Sequence, residues 1–383
     1  MRHDCCSYNC VKLTWGFTFM KIRIFLAISA LVLGSANAFA GPYTFTSLDP
    51  AGGSLSNAVS INNRGEVVGY SSIDGVGFRA ALWANSSITI LGGTSNSQAT
   101  SINDSGQIVG TTYIPVVNSS GISRATLWDG SSIFDLGSFG GQASYAHAIN
   151  SAGQIVGYAS PPNGANYAAL WSGGAITDLG SPGGNGVGAS INNSGQIVGN
   201  SRIGNGASHA TLWTGTSIID LGTLGGSSSA AGAINNAGLI VGGSYTTEGF
   251  YHATLWDGTS IVDLGASLGA TQSAALGINS AGTVVGHYMN YSTSSWIAAA
   301  WIAGQLTDLN SLLDADTIDA GWELQTAHDI NNRGWIVGQA YNRRTDATRG
   351  FLLVPNAIPE PSSLALFAVA LVGLCASRRR RSS

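Results

Sequence analysis

The segment Ile-Asn-x-x-Gly-x-(Ile/Val)-Val-Gly recurs seven times, beginning at Ile61, Ile102, Ile149, Ile191, Ile234, Ile278 and Ile330, at intervals of 41, 47, 42, 43, 44 and 52 residues. A period of about 40–50 residues accommodates four short strands, the content of one β-propeller blade. The motif also has a mechanical reading. Asn opens a tight turn by bonding its own backbone, and Gly three positions on takes the left-handed conformation that closes it. Asn62 with Gly65, through to Asn331 with Gly334, therefore read as hairpin tips. Only Asp104 adds a carboxylate inside these turns, whereas calcium requires several oxygen ligands.

Two further segments repeat with the first. Residues 209–222, HATLWTGTSIIDLG, return almost unchanged at 252–265 as HATLWDGTSIVDLG. The first half is a strand carrying Trp83, Trp128, Trp171, Trp213, Trp256 or Trp301, with Phe351-Leu352-Leu353 in the seventh copy. Its period-two alternation and turns such as Asp129-Gly130 or Asp257-Gly258 predict a hairpin, and one Trp per unit predicts packing between units. The second half ends in Asp-Leu-Gly at Leu136, Leu179, Leu221 and Leu264, with relatives at Leu91 and Leu309. The strand at Phe351 has no such successor, and an orphan strand lies at Tyr43 to Asp49. Joining the two closes a ring and removes exposed edges. Small residues before each Ile-Asn, such as Ala58 with Ser60 and Ala99 with Ser101, suit strands converging on an axis. We expect an all-β, seven-bladed β-propeller over 41–357, closed by its N-terminal strand. The alternative, an open β-solenoid, requires polar caps that the sequence lacks.

The ends do not belong to that body. Met20 begins a run in which Lys21 and Arg23 precede the apolar stretch Phe25 to Leu33, and Ala38 and Ala40 offer small residues to signal peptidase. This reads as a secretory signal over 20–40. A complete signal at Met20 makes residues 1–19 an extension ahead of the true start. At the far end, Pro359-Glu360-Pro361 precedes the thirteen apolar residues Leu364 to Ala376, then Arg378, Arg379, Arg380 and Arg381. Such a helix reaches ~20 Å against a hydrocarbon core of ~30 Å, which suits transient anchoring with the arginines in the cytoplasm.

Residues 358–383 resemble the PEP-CTERM sorting signal of Gram-negative bacteria. The resemblance implies cleavage near Pro-Glu-Pro by an exosortase and delivery of the body to the cell surface or extracellular matrix. From Tyr43 to Pro355 the repeats resemble the HAF repeat family of exported bacterial proteins, whose His-Ala-aromatic strand is matched at His209-Ala210 and His252-Ala253. Arg79, Arg124, Tyr167, Ile297 and Arg349 replace that His elsewhere. This second resemblance implies a location and a fold, with little chemistry.

Between Gly41 and Ala357 there is no Cys and no Lys, and 8 Arg stand against 18 Asp plus Glu. An exported body without disulfides is held by packing alone. Its Lys-free acidic surface argues against nucleic acid and anionic membrane as partners, leaving membrane contact to the C-terminal tail. P-loop and Schiff-base chemistry, which need a lysine, are excluded. No nucleophile elbow, zincin motif or phosphate loop is present, and no cofactor is expected.

The residue opening each Trp strand lies eleven before the residue preceding Leu-Gly, and a two-residue turn sets them face to face: Arg124 and Asp135, Tyr167 and Asp178, His209 and Asp220, His252 and Asp263. These are expected to be rungs that fix register. A metal ring is disfavoured, since only two are imidazoles and blades are far apart relative to bonds of ~2 Å. His147 and His328 fall on innermost strands and are the candidates for an axial channel. The segment Asn310 to Glu323 departs furthest from the repeat, and should begin as a helical turn capped by Asn310 or Ser311. Its Asp314, Asp316, Asp319 and Glu323 are the one candidate metal set, against a plain solvated acidic loop. The expected function is a monomeric, non-enzymatic propeller associated with exopolysaccharide or surface proteins. The competing class is a glycan-active hydrolase or lyase.

Overall fold

The computed structural model describes residues 43–92, 96–115, 121–204, 206–268 and 272–356. The signal segment, the sorting tail and the residues named in them lie outside this set. The described chain forms seven antiparallel four-stranded sheets. In the first, Ser56–Ile61 is innermost, followed outward by Val67–Ile73, Gly77–Ala84 and Ser87–Ile90. Blades 2 to 6 repeat this order over 97–135, 144–178, 186–220, 225–263 and 273–308. Blade 7 takes three strands from 322–355, and its outer strand is Tyr43–Leu48. Phe45 lies opposite Leu353 and Thr46 opposite Leu352, so the two ends of the body knit into one sheet.

A defect repeated in every blade explains the sequence motif. Each innermost strand skips register by one residue, at Val59, Thr100, His147, Ala189, Gly232, Leu276 and His328. Such a bulge bends and twists the strand, as convergence on an axis requires. It also drives a carbonyl into the second strand. A Cβ at Gly69 would sit 1.9 Å from the Asn57 oxygen, and one at Gly157 would sit 1.9 Å from that of Tyr145. The glycine ending Val-Val-Gly is therefore the partner of the bulge.

Blades meet through the tryptophans. Trp128 packs on Val68, Ala80, Leu82 and Leu91 of blade 1, and Trp213 on Val156, Ala168 and Leu179 of blade 3. Their indole N–H groups donate to Gly92 and Gly180 carbonyls of the preceding blade, each at 3.0 Å. The closing seam is built alike: Trp83 joins Leu48, Val337 and Leu352, and its N–H reaches the Asp49 carbonyl at 3.1 Å.

The seven motif asparagines form a second closure. Asn62 accepts the N–H groups of Arg64 and Glu66, as foreseen for a turn-former. Its amide then crosses the seam to the carbonyl of Asn103 at 3.2 Å. The same bond runs from Asn103 to Asn150, Asn150 to Asn192, Asn192 to Asn235, Asn235 to Asn279, Asn279 to Asn331, and from Asn331 back to Asn62 at 2.9 Å. The asparagines are 3–6% exposed, so each buried carboxamide is satisfied by a local turn and a neighbouring blade.

Candidate functional site

Three of the four expected cross-strand rungs are bonded, in a shifted register, and Asp178 lies opposite Ala169 rather than Tyr167. Asp135 lies opposite Thr126, Asp220 opposite Thr211 and Asp263 opposite Thr254, two residues from the expected partners. The turn in blade 2 is centred on Gly130-Ser131, because Asp129 itself pairs with Ser132. Moving a turn by one residue moves the register by two, which preserves the face. Diagonal bonding survives: His209 and His252 reach Asp220 and Asp263 through Nδ1 at 2.9 Å, and Arg124 Nε lies 3.5 Å from Asp135. Each aspartate also accepts the N–H of the following Gly, as Asp135 does from Gly137 and Asp263 from Gly265, both at 2.8 Å. Asp178 does the same for Gly180. These carboxylates end strands and fix rungs.

The other singled-out groups are also bonded locally. His147 and His328 occupy bulge positions, with Nδ1 on the carbonyls of Gly188 (2.9 Å) and Ala58 (2.7 Å) in the next blade. Desolvation holds both imidazoles below the ordinary histidine range. Beside His328, Asp329 accepts from Ser60 Oγ and the Ile61 and Ile330 N–H groups, and desolvation pushes its carboxyl up to about 6. In the irregular segment, the first cap is Asp308, which accepts the Asn310 N–H ahead of the 3-10 turn Leu309–Leu312. Asn310 instead braces Leu324 through both halves of its amide. Asp314 caps a short α-helix, Ala315–Asp319, and Glu323 pairs with Arg343 at 2.8 Å. Among the described residues, no three His, Cys, Asp or Glu converge on a metal-sized site, and these four do not.

At the mouth of the axis, inside the asparagine ring, lies a polar cavity of about 210 Å³. Its rim residues bridge blades: Asn63 binds Asp104 through N and Nδ2, both at 2.8 Å, and Asn332 N donates to Asn63 Oδ1 at 2.9 Å. Ser151 N likewise donates to Asn193 Oδ1, Asn193 N to Asn236 Oδ1 and Ser280 N to Asn332 Oδ1.

The opposite face differs. There a groove of about 470 Å³ gathers unlike residues from three blades. Tyr70 and Phe78 of blade 1 form one corner, their rings edge-on at 5.5 Å and 84°. Blade 2 supplies the cross-strand pairs Gln98–Thr111 and Tyr113–Ser123, with Asn96 at the rim. Blade 3 supplies Tyr145, whose hydroxyl donates to Ser123 Oγ at 2.8 Å. Phe78 is 44% exposed, while Thr111 is 6% exposed and its Oγ1 has no hydrogen-bond partner among the described residues. The sequence reading missed all of these residues. The available signal was divergence: the residue after each Val-Val-Gly or its equivalent is Tyr70, Thr111, Tyr158, Asn200, Gly243, His287 or Gln339, within an otherwise repeated frame.

Residues 357–381 match the PEP-CTERM protein-sorting motif. Among the described residues, no helix is long and apolar enough to cross a membrane. No curated protein matches the chain. Among solved structures, the β-propeller domain of the Trilobed protease from Pyrococcus furiosus, described as having an open velcro topology, is similar at 11% identity with a TM-score of 0.52, covering 77% of this chain and 94% of that one. TolB from Acinetobacter baumannii (10%, TM-score 0.38, 88% and 68% covered) and the six-bladed Aleuria aurantia lectin (13%, TM-score 0.35, 84% and 97% covered) superpose more loosely. The first likeness concerns the fold alone, and here the N-terminal strand closes the last blade. The chain thus carries an exosortase sorting signal behind a seven-bladed β-propeller, which marks it as exported and transiently anchored through its C-terminus.

Proposed function

We propose that this protein is a non-enzymatic binding propeller of the Gram-negative cell surface or extracellular matrix, built from HAF repeats, processed by signal peptidase and exosortase, and associated as a monomer with exopolysaccharide. One observation carries the reading. His147, His209 and His252, with Asp220 and Asp263, are bonded into structural positions, whereas the groove on blades 1 to 3 collects non-repeating aromatic, amide and hydroxyl groups. That composition serves recognition, with binding residues displayed on a rigid ring.

The direction of display agrees. Pro355 lies 3.9 Å from where a Cβ on Gly334 would sit, so the described chain leaves at the asparagine-turn face. The groove opens at the other face. Retention on immobilised polysaccharides, run beside a reducing-end assay, tests the proposal. Retention without new ends is expected. New reducing ends would make the protein a glycan-active enzyme, and silence in both assays would leave a spacer or a surface-protein partner.

A further inference from the structure

We infer that the groove between blades 1 and 3 is a single subsite for one uncharged sugar ring of a saccharide chain, with Phe78 and Tyr70 as its stacking corner and Gln98 and Thr111 as its hydroxyl contacts. This deepens the function proposed above and rests on it.

The class of ligand follows from what lines the groove and what does not. Its volume, about 470 Å³, lies within the ~300–1,000 Å³ of small-ligand sites. Among the described residues, no Asp, Glu, Arg, Lys or His lines it, so a ligand carboxylate or phosphate would lose its hydration without gaining a counter-charge. Aromatic faces beside carboxamides and hydroxyls match a molecule with one apolar face and a hydroxylated perimeter, which describes a pyranose.

Thr111 supplies an independent pointer to a ligand. The residue is more than nine-tenths buried, lines the groove and, among the described residues, has no partner for Oγ1. A hydroxyl desolvated in this way costs free energy unless something satisfies it. Behind Tyr70, the buried Asn57 donates to the phenol oxygen at 3.3 Å, and its own Oδ1 is unpartnered. An extended peptide is a poorer fit, because backbone groups at the rim are already used. Tyr113 N donates to the Asn96 carbonyl, Phe78 N to Asn96 Oδ1, and Ser123 N to the Gln142 carbonyl.

The walls are also fixed in advance. The Tyr145 hydroxyl is held by Ser123 and that of Tyr70 by Asn57, so less rotamer freedom remains to be lost on binding. Equivalent positions in blades 4 and 5 do not rebuild the site. Val187 faces Asn200 in blade 4, and Ala230 faces Gly243 in blade 5, where the Tyr251 ring lies 2.4 Å from where a Gly243 Cβ would stand. The groove is therefore not a feature repeated in all seven blades.

The test is calorimetric titration of the intact body with neutral glucose, mannose and galactose hexasaccharides, an oligogalacturonate, and a Tyr/Pro-rich decapeptide. One neutral hexasaccharide should bind with a stoichiometry of one. Phe78→Ala and Gln98→Ala should each weaken it tenfold or more, and Thr111→Val should weaken it at least threefold. All three should retain the wild-type melting temperature, and Phe134→Ala, at an exposed aromatic outside the groove lining, should bind normally. Neutral-sugar binding that ignores every groove variant would overturn this inference while sparing the general function. Preference for the uronate or the peptide would overturn the ligand class, and absence of all saccharide binding would remove both.

Discussion

The Asn331 side chain donates to the Asn62 carbonyl at 2.9 Å, joining residues 269 apart in the chain. This bond completes a hydrogen-bonded circuit independent of the strand that closes blade 7.

Asn331→Ala should therefore cost about 1–3 kcal/mol, since the Asn62 carbonyl and the Arg333 and Trp335 N–H groups lose their buried partner together. Asn192→Ala, in the middle of the array, should cost a similar amount. Urea unfolding midpoints measure both. A loss confined to Asn331 would mean that the circuit matters only at the seam.

Removing residues 43–48 should leave the Ala347–Pro355 strand as a bare edge and strip Leu48 from its cluster with Trp83. Unpaired apolar edges recruit other chains. Light scattering during a thermal ramp should show self-association and an earlier, broader transition. An unchanged melt would show that the asparagine circuit suffices for closure.

Asp263→Ala should destabilise more than Asp135→Ala. The first removes a 2.9 Å bond to the buried His252 as well as the Gly265 contact. The second loses the equivalent Gly137 contact, but otherwise only a longer 3.5 Å ion pair at a side chain 56% exposed. Exposed pairs contribute ~0–1 kcal/mol, against ~1–3 for leaving a buried polar group unsatisfied. Differential scanning calorimetry gives the order.

Acid stability should reflect two opposing sets of groups. Burial, aided by His328, lowers His287 to about 4, and burial lowers His147 and His328. The unfolded chain then binds more protons, so these groups remove stability as pH falls below ~6.5, at up to ~1.4 kcal/mol per pH unit each. Asp329, raised to about 6, works the other way: the folded state holds its proton more tightly, so its contribution is full below ~3.9 and lost as pH rises through about 6. Asp329→Asn should therefore steepen the loss of stability between pH 6 and 4, and His287→Gln should flatten it. Chemical denaturation across that range would read both slopes.

Repeat length, strand content and the tryptophan seams were legible because each is written once per blade at a fixed offset. Leu353 could be placed in the seventh tryptophan position for the same reason: it pairs with Ile336 as Trp171 pairs with Ile155. Turn position was less legible. Asp129-Gly130 is a good turn dipeptide, yet the hairpin folds around Gly130-Ser131, and blade 1 turns at Asn85-Ser86 with both residues at positive φ. Pairing along the whole strand outweighs one favourable dipeptide.

By itself, the sequence determined the number of blades, their internal order and the C-terminal sorting signal, because these depend on neighbours within one repeat or on terminal composition. The tertiary structure alone decided that the asparagines clasp one another and that Phe78, Thr111 and Tyr145 share a groove. Those contacts join different blades, and closing the ring is what brings such distant side chains within bonding distance.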